Sequence, residues 1–472
     1  MAVINLSTEH REALLRKFEK RIEVNRDLDR GLVSYQEDKE TPFYRWFKYK
    51  EGFTSRLVSY LLNKVHPVLG LLLDPFAGSG AALFASASAG WETSGIDVLP
   101  VGVHIVQARI SANLVDINLF IEMAEKLKSL DFSAFFEESN NFKHIPITKG
   151  AFPPENEKEL IGYISYCKKY IQDEHVQRLA LFASFCILED ISYTRKDGQY
   201  LRWDVRSGRS LGKEPFNKGE ILSFPRAIEA KLNQMMHDLQ FGRLFETNGV
   251  SEAPAPRIVA GSCLEILPTL ESASINVILT SPPYCNRYDY TRTYALELVY
   301  LGACYEEVTK LRQTMLTCTV ENKTKREDLK AMYEKLGQKA EFDQIEEVFQ
   351  SLAALQEVLS ILDAYKDARE LNNPQIARMV RNYFYEMCFV IFEMARILTP
   401  GGHVIMVNDN VRYAGEEVPV DLILSSMAET FGLAAKKIWT LGRGKGNSSQ
   451  QMGSHGRTEL RKCVYVWEKE QA

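Results

Sequence analysis

Residues 68–80, VLGLLLDPFAGSG, are an apolar run that breaks into a glycine turn. A small-residue helix, AALFASASAG, follows, and then a short strand, TSGIDV (93–98). Strand, glycine turn, helix and strand make a βαβ unit. Such a unit commits the chain to a parallel sheet with a right-handed crossover and helices on both faces. The expected class is therefore α/β.

Further strands are predicted at RIVAGS (257–262), INVILTS (275–281), GHVIMVNDN (402–410), AKKIWTLG (435–442) and KCVYVWEK (462–469). Helices are predicted over 6–30, 382–398 and 420–431. Two stretches interrupt the alternation. Residues 112–256 are mixed, and residues 301–375 are strongly helical and charged without any strand signal. The chain divides into an N-terminal helical arm (1–40), a first core half (41–111), an insertion (112–256), a second core half (257–300), a helical insertion (301–375) and closing strands and helices (376–472).

At 472 residues the chain is long enough for one large core with insertions or for two to three domains. With 45% hydrophobic and 25% charged residues it is globular. Its net charge of −5 excludes a basic surface throughout, so any polyanion must meet a local patch. No apolar stretch reaches membrane-spanning length, and the charged N-terminus lacks a signal core. Eight cysteines lie scattered from Cys167 to Cys463 without a C-x-x-C pair, as in a reduced, cytoplasmic protein. No metal-ligand spacing is present, and His403 reads as part of a core strand.

In Asp74-Pro-Phe-Ala-Gly78-Ser-Gly80 the glycines permit a tight turn and close approach of a ligand. Asp97 ends the next strand, where a carboxylate can accept hydrogen bonds from the two ribose hydroxyls of an adenosine cofactor. Neither a Walker loop nor the dinucleotide fingerprint fits the spacing. Downstream, strand INVILT runs into Ser281-Pro282-Pro283-Tyr284. The prolines stiffen the turn and fix the Ser281 hydroxyl and Pro282 carbonyl as acceptors at the strand's C-terminal end. Tyr284 adds a flat face. Two acceptors and a ring suit a flipped base presenting an exocyclic amine. Taken singly, each motif also reads as a tight turn after a core strand.

Together, LDPFAGSG and TSPPY resemble the S-adenosylmethionine-dependent amino-methyltransferases of DNA. RWFKYKEGF (45–53) looks like that family's additional cofactor motif. The resemblance covers roughly 41–111, 257–300 and 376–469. It implies a Rossmann-like core with a mostly parallel sheet, S-adenosyl-L-methionine as cofactor and double-stranded DNA as substrate. It also implies a restriction–modification or phage-defence setting with a partner protein. Asp74, Phe76, Gly78 and Gly80 would cradle the methionine end, with Phe53 beside them, and Asp97 would hold the ribose. Ser281, Pro282, Pro283 and Tyr284 would form the catalytic site. Serine at the first tetrad position leans toward the N4 amine of cytosine. The N6 amine of adenine, an RNA substrate and a non-catalytic DNA-binding subunit remain as alternatives. Ser262 stands where the family often carries an acid near the cofactor adenine. Cys285 does not match the carbon-5 cytosine enzymes and reads as structural.

Residues 112–256 are the candidate target-recognition region. Within them, 193–213 interleave Arg195, Lys196, Arg202, Arg206, Arg209 and Lys213 with Tyr193, Tyr200 and Trp203. These are candidate phosphate and base contacts, or a solvated loop with incidental charge. Arg443, Lys445 and Arg457 in the glycine-rich stretch 441–457 are further candidates, as is Arg287 after the tetrad, with Arg292 beside it. Residues 301–375 are expected to serve as a clamp, a dimer surface or a partner site.

Overall fold

The computed structural model describes residues 8–29, 31–33, 40–50, 52–197, 200–209, 215–242, 255–442 and 460–471. Its strands are β1 (Ile22–Val24), β2 (Leu71–Asp74), β3 (Glu92–Asp97), β4 (Thr194–Asp197), β5 (Tyr200–Trp203), β6 (Arg257–Ala260), β7 (Ile275–Thr280), β8 (Leu398–Asp409), β9 (Val411–Tyr413), β10 (Glu416–Val418), β11 (Leu433–Thr440) and β12 (Lys462–Lys469).

Eight of them form one sheet in the order β1-β11-β12-β8-β7-β2-β3-β6. Pairing is parallel from β6 through β3, β2 and β7 to β8. It is antiparallel where β12 lies between β8 and β11. β2 and β7 are mostly apolar because both faces are covered. Successive side chains alternate between faces. Leu72, Val277 and Leu279 pack with the helix Ser55–Val65, whereas Leu73 and Ile278 pack with the helix Ile376–Ile397. This is the α/β sheet that the βαβ signal implies, and its mostly parallel, Rossmann-like form is the one that the resemblance implies.

The predicted strands in this sheet form, each shifted by a few residues at most. The N-terminal arm differs. Residues 6–30 carry a helical pattern, yet the helix covers Glu9–Phe18, and Ile22–Val24 joins the sheet edge parallel to β11. Pairing with an open edge outweighs local helical propensity here. Glu23 then bonds Lys437 Nζ at 2.9 Å and the Trp439 indole on the neighbouring strand.

Neither insertion packs apart from the core. Helices Ile117–Lys128, Pro154–Tyr170, Glu174–Cys186 and Phe224–Phe241 share one apolar cluster with Phe43, Trp46, Phe47, Leu83 and Phe84. The buried Asp238 carboxylate, from the last of these helices, accepts from Trp46 Nε1 at 2.8 Å, Arg45 Nε at 3.1 Å and Phe43 N at 3.2 Å. The second insertion holds helices Tyr305–Thr314, Arg326–Lys335, Lys339–Ser351 and Ala353–Asp367. Fully buried Glu386, on helix Ile376–Ile397, anchors it. Glu386 accepts from Lys325 Nζ at 2.8 Å and Thr317 N at 2.7 Å.

Removing one member of a buried ion pair strands the other charge. Glu386→Ala is therefore expected to lose about 3–5 kcal/mol of stability, read as a lower urea midpoint. A midpoint unchanged from wild type would show that Glu386 does not anchor the insertion.

Candidate active site

In this sheet β2 and β7 are neighbours, and the chain runs outward from them in opposite directions. β3 and β6 lie beyond β2, and β8 lies beyond β7. The helices that follow the two strands therefore leave on opposite sides, and a crevice opens at the strands' C-terminal ends. Both sequence motifs end there. Asp74 is the last residue of β2, and Thr280 is the last of β7. Thr280 Oγ1 donates to Asp74 Oδ1 at 2.6 Å, and Phe76 N donates to the same oxygen at 3.0 Å. One buried carboxyl thus ties the glycine turn to the residue directly before Ser281.

The cleft above this bond encloses about 780 Å³ of empty space, open solvent included. Phe53, Asp74, Phe76, Gly78, Asp97, Ser281 and Pro283 line it. Pro282 is buried, and Tyr284 is half-buried beside Ser281, whose Oγ donates to the Tyr284 hydroxyl at 3.4 Å. Gly80 starts the helix Ala81–Ser88 from a left-handed conformation, φ +80°. A Cβ there would lie 2.8 Å from Val106 and 2.9 Å from Phe84, so the turn needs glycine on two counts.

Asp97 spans the turn from the other side. Its Oδ2 accepts from Gly78 N at 2.5 Å and its Oδ1 from Leu99 N at 2.6 Å. Each carboxylate oxygen keeps a second acceptor position. Burial pushes both Asp74 and Asp97 up to about 7, against the hydrogen bonds that favour their ionised forms.

The cleft has further residues that local sequence reasoning did not single out. Tyr49 stacks on Tyr294 at 5.3 Å and stands over Gly78; its place in RWFKYKEGF was the available signal. Arg109 is buried, and its Nη1 donates to Ser79 O at 2.6 Å, holding the glycine turn from behind. Met315 and Leu316 reach the wall from the second insertion, and nothing in their local sequence marks them. Cys285 is buried beneath the site, its thiol pushed well up by burial and its carbonyl accepting from Tyr413 OH. His403 Nδ1 lies 2.9 Å from His66 Nδ1 at the start of the core part of β8.

The basic candidates separate sharply. Lys196 was expected at phosphates but is buried. It pairs with Glu297 and lies over the rings of Phe47 and Tyr294 at 4.8 and 5.3 Å. A cation held this way cannot reach a phosphate. Arg206 grips Asp204 with two bonds of 2.7 and 2.8 Å. Arg209 lies 3.9 Å over Trp203 and donates to two backbone carbonyls, Pro146 and Lys149. These two also serve the hairpin β4–β5 and its flank. Arg202 pairs with Asp197 at 3.2 Å and covers Phe216. Arg195 is exposed and makes no ion pair among the described residues. Arg287 reaches Asn372 at 3.4 Å, and Arg292 pairs with Asp289 and Glu321. Lys213, Arg443, Lys445 and Arg457 lie outside the described residues, and Tyr200's side chain is not described. Among the described residues no group of His, Cys, Asp or Glu is arranged to hold a metal, and no helix is long and apolar enough to cross a membrane.

A mostly parallel sheet with one antiparallel strand near its edge, and a cleft at its switch point, define a Rossmann-like methyltransferase fold. The chain is 43% identical over 470 residues to the type II methyltransferase M.AvaI of Nostoc sp., spanning 97% of this chain and 93% of that protein. It is 39% identical over 462 residues to the type II methyltransferase M.BsoBI of Geobacillus stearothermophilus, spanning 95% and 90%. No protein-family model matches the chain. The chain belongs to the type II DNA methyltransferases. It is an enzyme of the restriction–modification class that acts on DNA, and its reaction requires a methyl donor.

The Thr280 hydroxyl satisfies a buried carboxyl, so its removal costs about 1–3 kcal/mol. Thr280→Val, nearly isosteric, is expected to lower stability by that amount in chemical denaturation, and Thr280→Ser to recover most of it. Equal stability of all three proteins would show that the bond does not tie the two motifs.

Proposed function

We propose that the protein transfers the methyl group of S-adenosyl-L-methionine to the exocyclic N4 amine of cytosine in double-stranded DNA. The single observation that carries this is the Thr280–Asp74 hydrogen bond, which sets Ser281 beside the glycine turn within one cleft. The cleft's chemistry fits the cofactor. Gly78 and Gly80 keep the turn free of side chains at those two positions, Asp97 offers carboxylate acceptors for a ribose, and apolar residues cover much of the remaining wall. When bound, S-adenosylmethionine supplies a methyl carbon on a cationic sulfur.

The residues of this chain do the rest by positioning. An exocyclic amine is a poor nucleophile because its lone pair is delocalised into the ring. The Ser281 hydroxyl and Pro282 carbonyl accept its two hydrogens and favour a tetrahedral nitrogen. Ser281 and Pro282 would hold that nitrogen in line with the methyl carbon, which the bound cofactor would give up while its sulfur kept the electron pair of the broken bond. The extra proton leaves the nitrogen for water, so Ser281 need not be a strong base. Tyr284 supplies the stacking face for the extruded base. Ser281, rather than an aspartate or asparagine, at the first tetrad position supports cytosine over adenine. Arg195, Arg202, Arg287 and Arg292 are the candidate phosphate contacts among the described residues. The product would protect sites from a partner nuclease in the same cytoplasm.

Nucleoside digestion of duplex DNA after turnover is expected to yield N4-methylcytosine by mass analysis. N6-methyladenine as the only product would overturn the cytosine assignment. Asp97 must be ionised to accept two ribose hydroxyls, yet burial holds it near 7 in the free protein. Lowering the pH from 8 to 6 protonates it and removes those acceptors. The dissociation constant for S-adenosylhomocysteine is therefore expected to rise about tenfold over that range. Asp97→Asn should flatten the profile, and a wild-type profile as flat as the variant's would contradict this role for Asp97.

A further inference from the structure

The second insertion reaches the cleft through one short arm, residues 312–322, and the arm is fastened along its length. Arg312 Nη2 and Nε donate to Thr291 Oγ1 at 2.9 and 3.0 Å, and Arg312 pairs with Asp289 at 3.2 Å. Thr314 O accepts from Ser262 Oγ at 3.3 Å, just past the end of β6. Thr317 N donates to Glu386, and Cys318 Sγ donates to Tyr288 O at 3.2 Å. Asn322 Nδ2 closes the arm on itself by donating to Arg312 O at 2.7 Å. Between these ties, Met315 and Leu316 line the cleft while being only 6% and 3% exposed.

The strand order fixes which part of a cofactor they would meet. The transferable carbon has to face Ser281, at the end of β7. Asp97, the acceptor assigned to the ribose, ends β3. The strands lie in the order β7, β2, β3, β6, so the purine extends toward β6. The wall there is Gly261, Ser262 and Cys263 from the end of β6, with Met315 and Leu316 coming across from the insertion. Met315 belongs to the same packed cluster as Leu99, and Leu316 to that of Cys263. The two side chains therefore join the slot to the cores on its two sides. Ser262, just past the end of β6, lines this wall, and its hydroxyl is already given to Thr314 O. Shape is left as the means of selection on this side of the slot.

We propose that Met315 and Leu316 are specificity-determining residues for the adenine of the cofactor, which makes the second insertion part of the cofactor site. This rests on reading the cleft as the S-adenosylmethionine site. A thioether against a π face makes a favourable contact, and an adaptable methionine can close on a flat ring. The insertion thereby links cofactor binding to the loop after the catalytic tetrad, because the same arm holds Asp289, Thr291 and Tyr288.

The experiment compares S-adenosylhomocysteine binding by calorimetry in wild type, Met315→Ala and Lys335→Ala, the last an exposed residue of the same insertion. Met315→Ala is expected to weaken binding about tenfold, with Lys335→Ala unchanged. An N6-benzyl analogue of S-adenosylhomocysteine should bind Met315→Ala more tightly than it binds wild type, a gain that damage to the fold would not produce. A 2-azidoadenine analogue photolysed on the wild-type protein should label residues 313–323, which needs no variant at all. Wild-type affinity in Met315→Ala, or label confined to other segments, overturns the inference alone. Failure of wild type to bind S-adenosylhomocysteine overturns the cofactor reading beneath it.

Discussion

A hydrogen bond of 2.6 Å between Thr280 Oγ1 and Asp74 Oδ1, buried at the meeting point of β2 and β7, holds this protein's two distant motifs together. The two residues are separated by 206 positions of sequence, much of it occupied by the first insertion. The bond is strong in its setting because little water can compete for it. The burial that shields it carries a cost. Two buried carboxyls, Asp74 and Asp97, line the same crevice and are pushed up to about 7 by burial. The protein tolerates them because each accepts from one backbone N–H of the glycine turn and from one donor outside it, Thr280 Oγ1 for Asp74 and Leu99 N for Asp97. A ligand carrying positive charge and hydroxyl donors would favour their ionised forms, so the crevice suits such a ligand before it arrives.

The rest of the molecule braces that crevice from behind. Arg109 reaches through the core to the Ser79 carbonyl, and Tyr49 stands over Gly78. The segment 43–47, which leads into the cleft, is held by the first insertion through Asp238 and a shared apolar cluster. The second insertion grips helix Ile376–Ile397 through Glu386 and the segment after Ser281–Tyr284 through Arg312, which donates to Thr291. Both insertions are thus packed into the walls of the sheet as well as added to it. Some of the charge that looks available for a polyanion in the sequence is used in this bracing. Lys196, Arg206 and Arg209 all hold protein groups, because an unpaired cation in a partly buried hairpin is costlier than one paired internally.

Much of the fold was legible because its signals are local. A central parallel strand is buried on both faces, so INVILT and VLGLLLD stand out as mostly apolar runs without strict alternation. A glycine turn between strand and helix needs left-handed backbone, so Gly78 and Gly80 are visible in the chain itself. β1 was hidden, since three residues gain strand structure only from the open edge of β11. Lys196 was misread for the same kind of reason. Alternation in a basic, aromatic hairpin does not say which face meets Glu297, a residue 101 positions away.

The amino-acid sequence fixed the chemical endowment: which acceptors end which strands, where the backbone must turn without side chains, and that no membrane span lies among the predicted segments. Those properties depend on neighbours within a few residues, and so they are written locally. Only the tertiary structure decided that Thr280 meets Asp74, that Lys196 is spent inside, and that Met315 and Leu316 wall a cleft built by strands far from them in the chain. Such contacts are set by strand order and by the packing of two insertions, and neither leaves a mark on the residues it brings together.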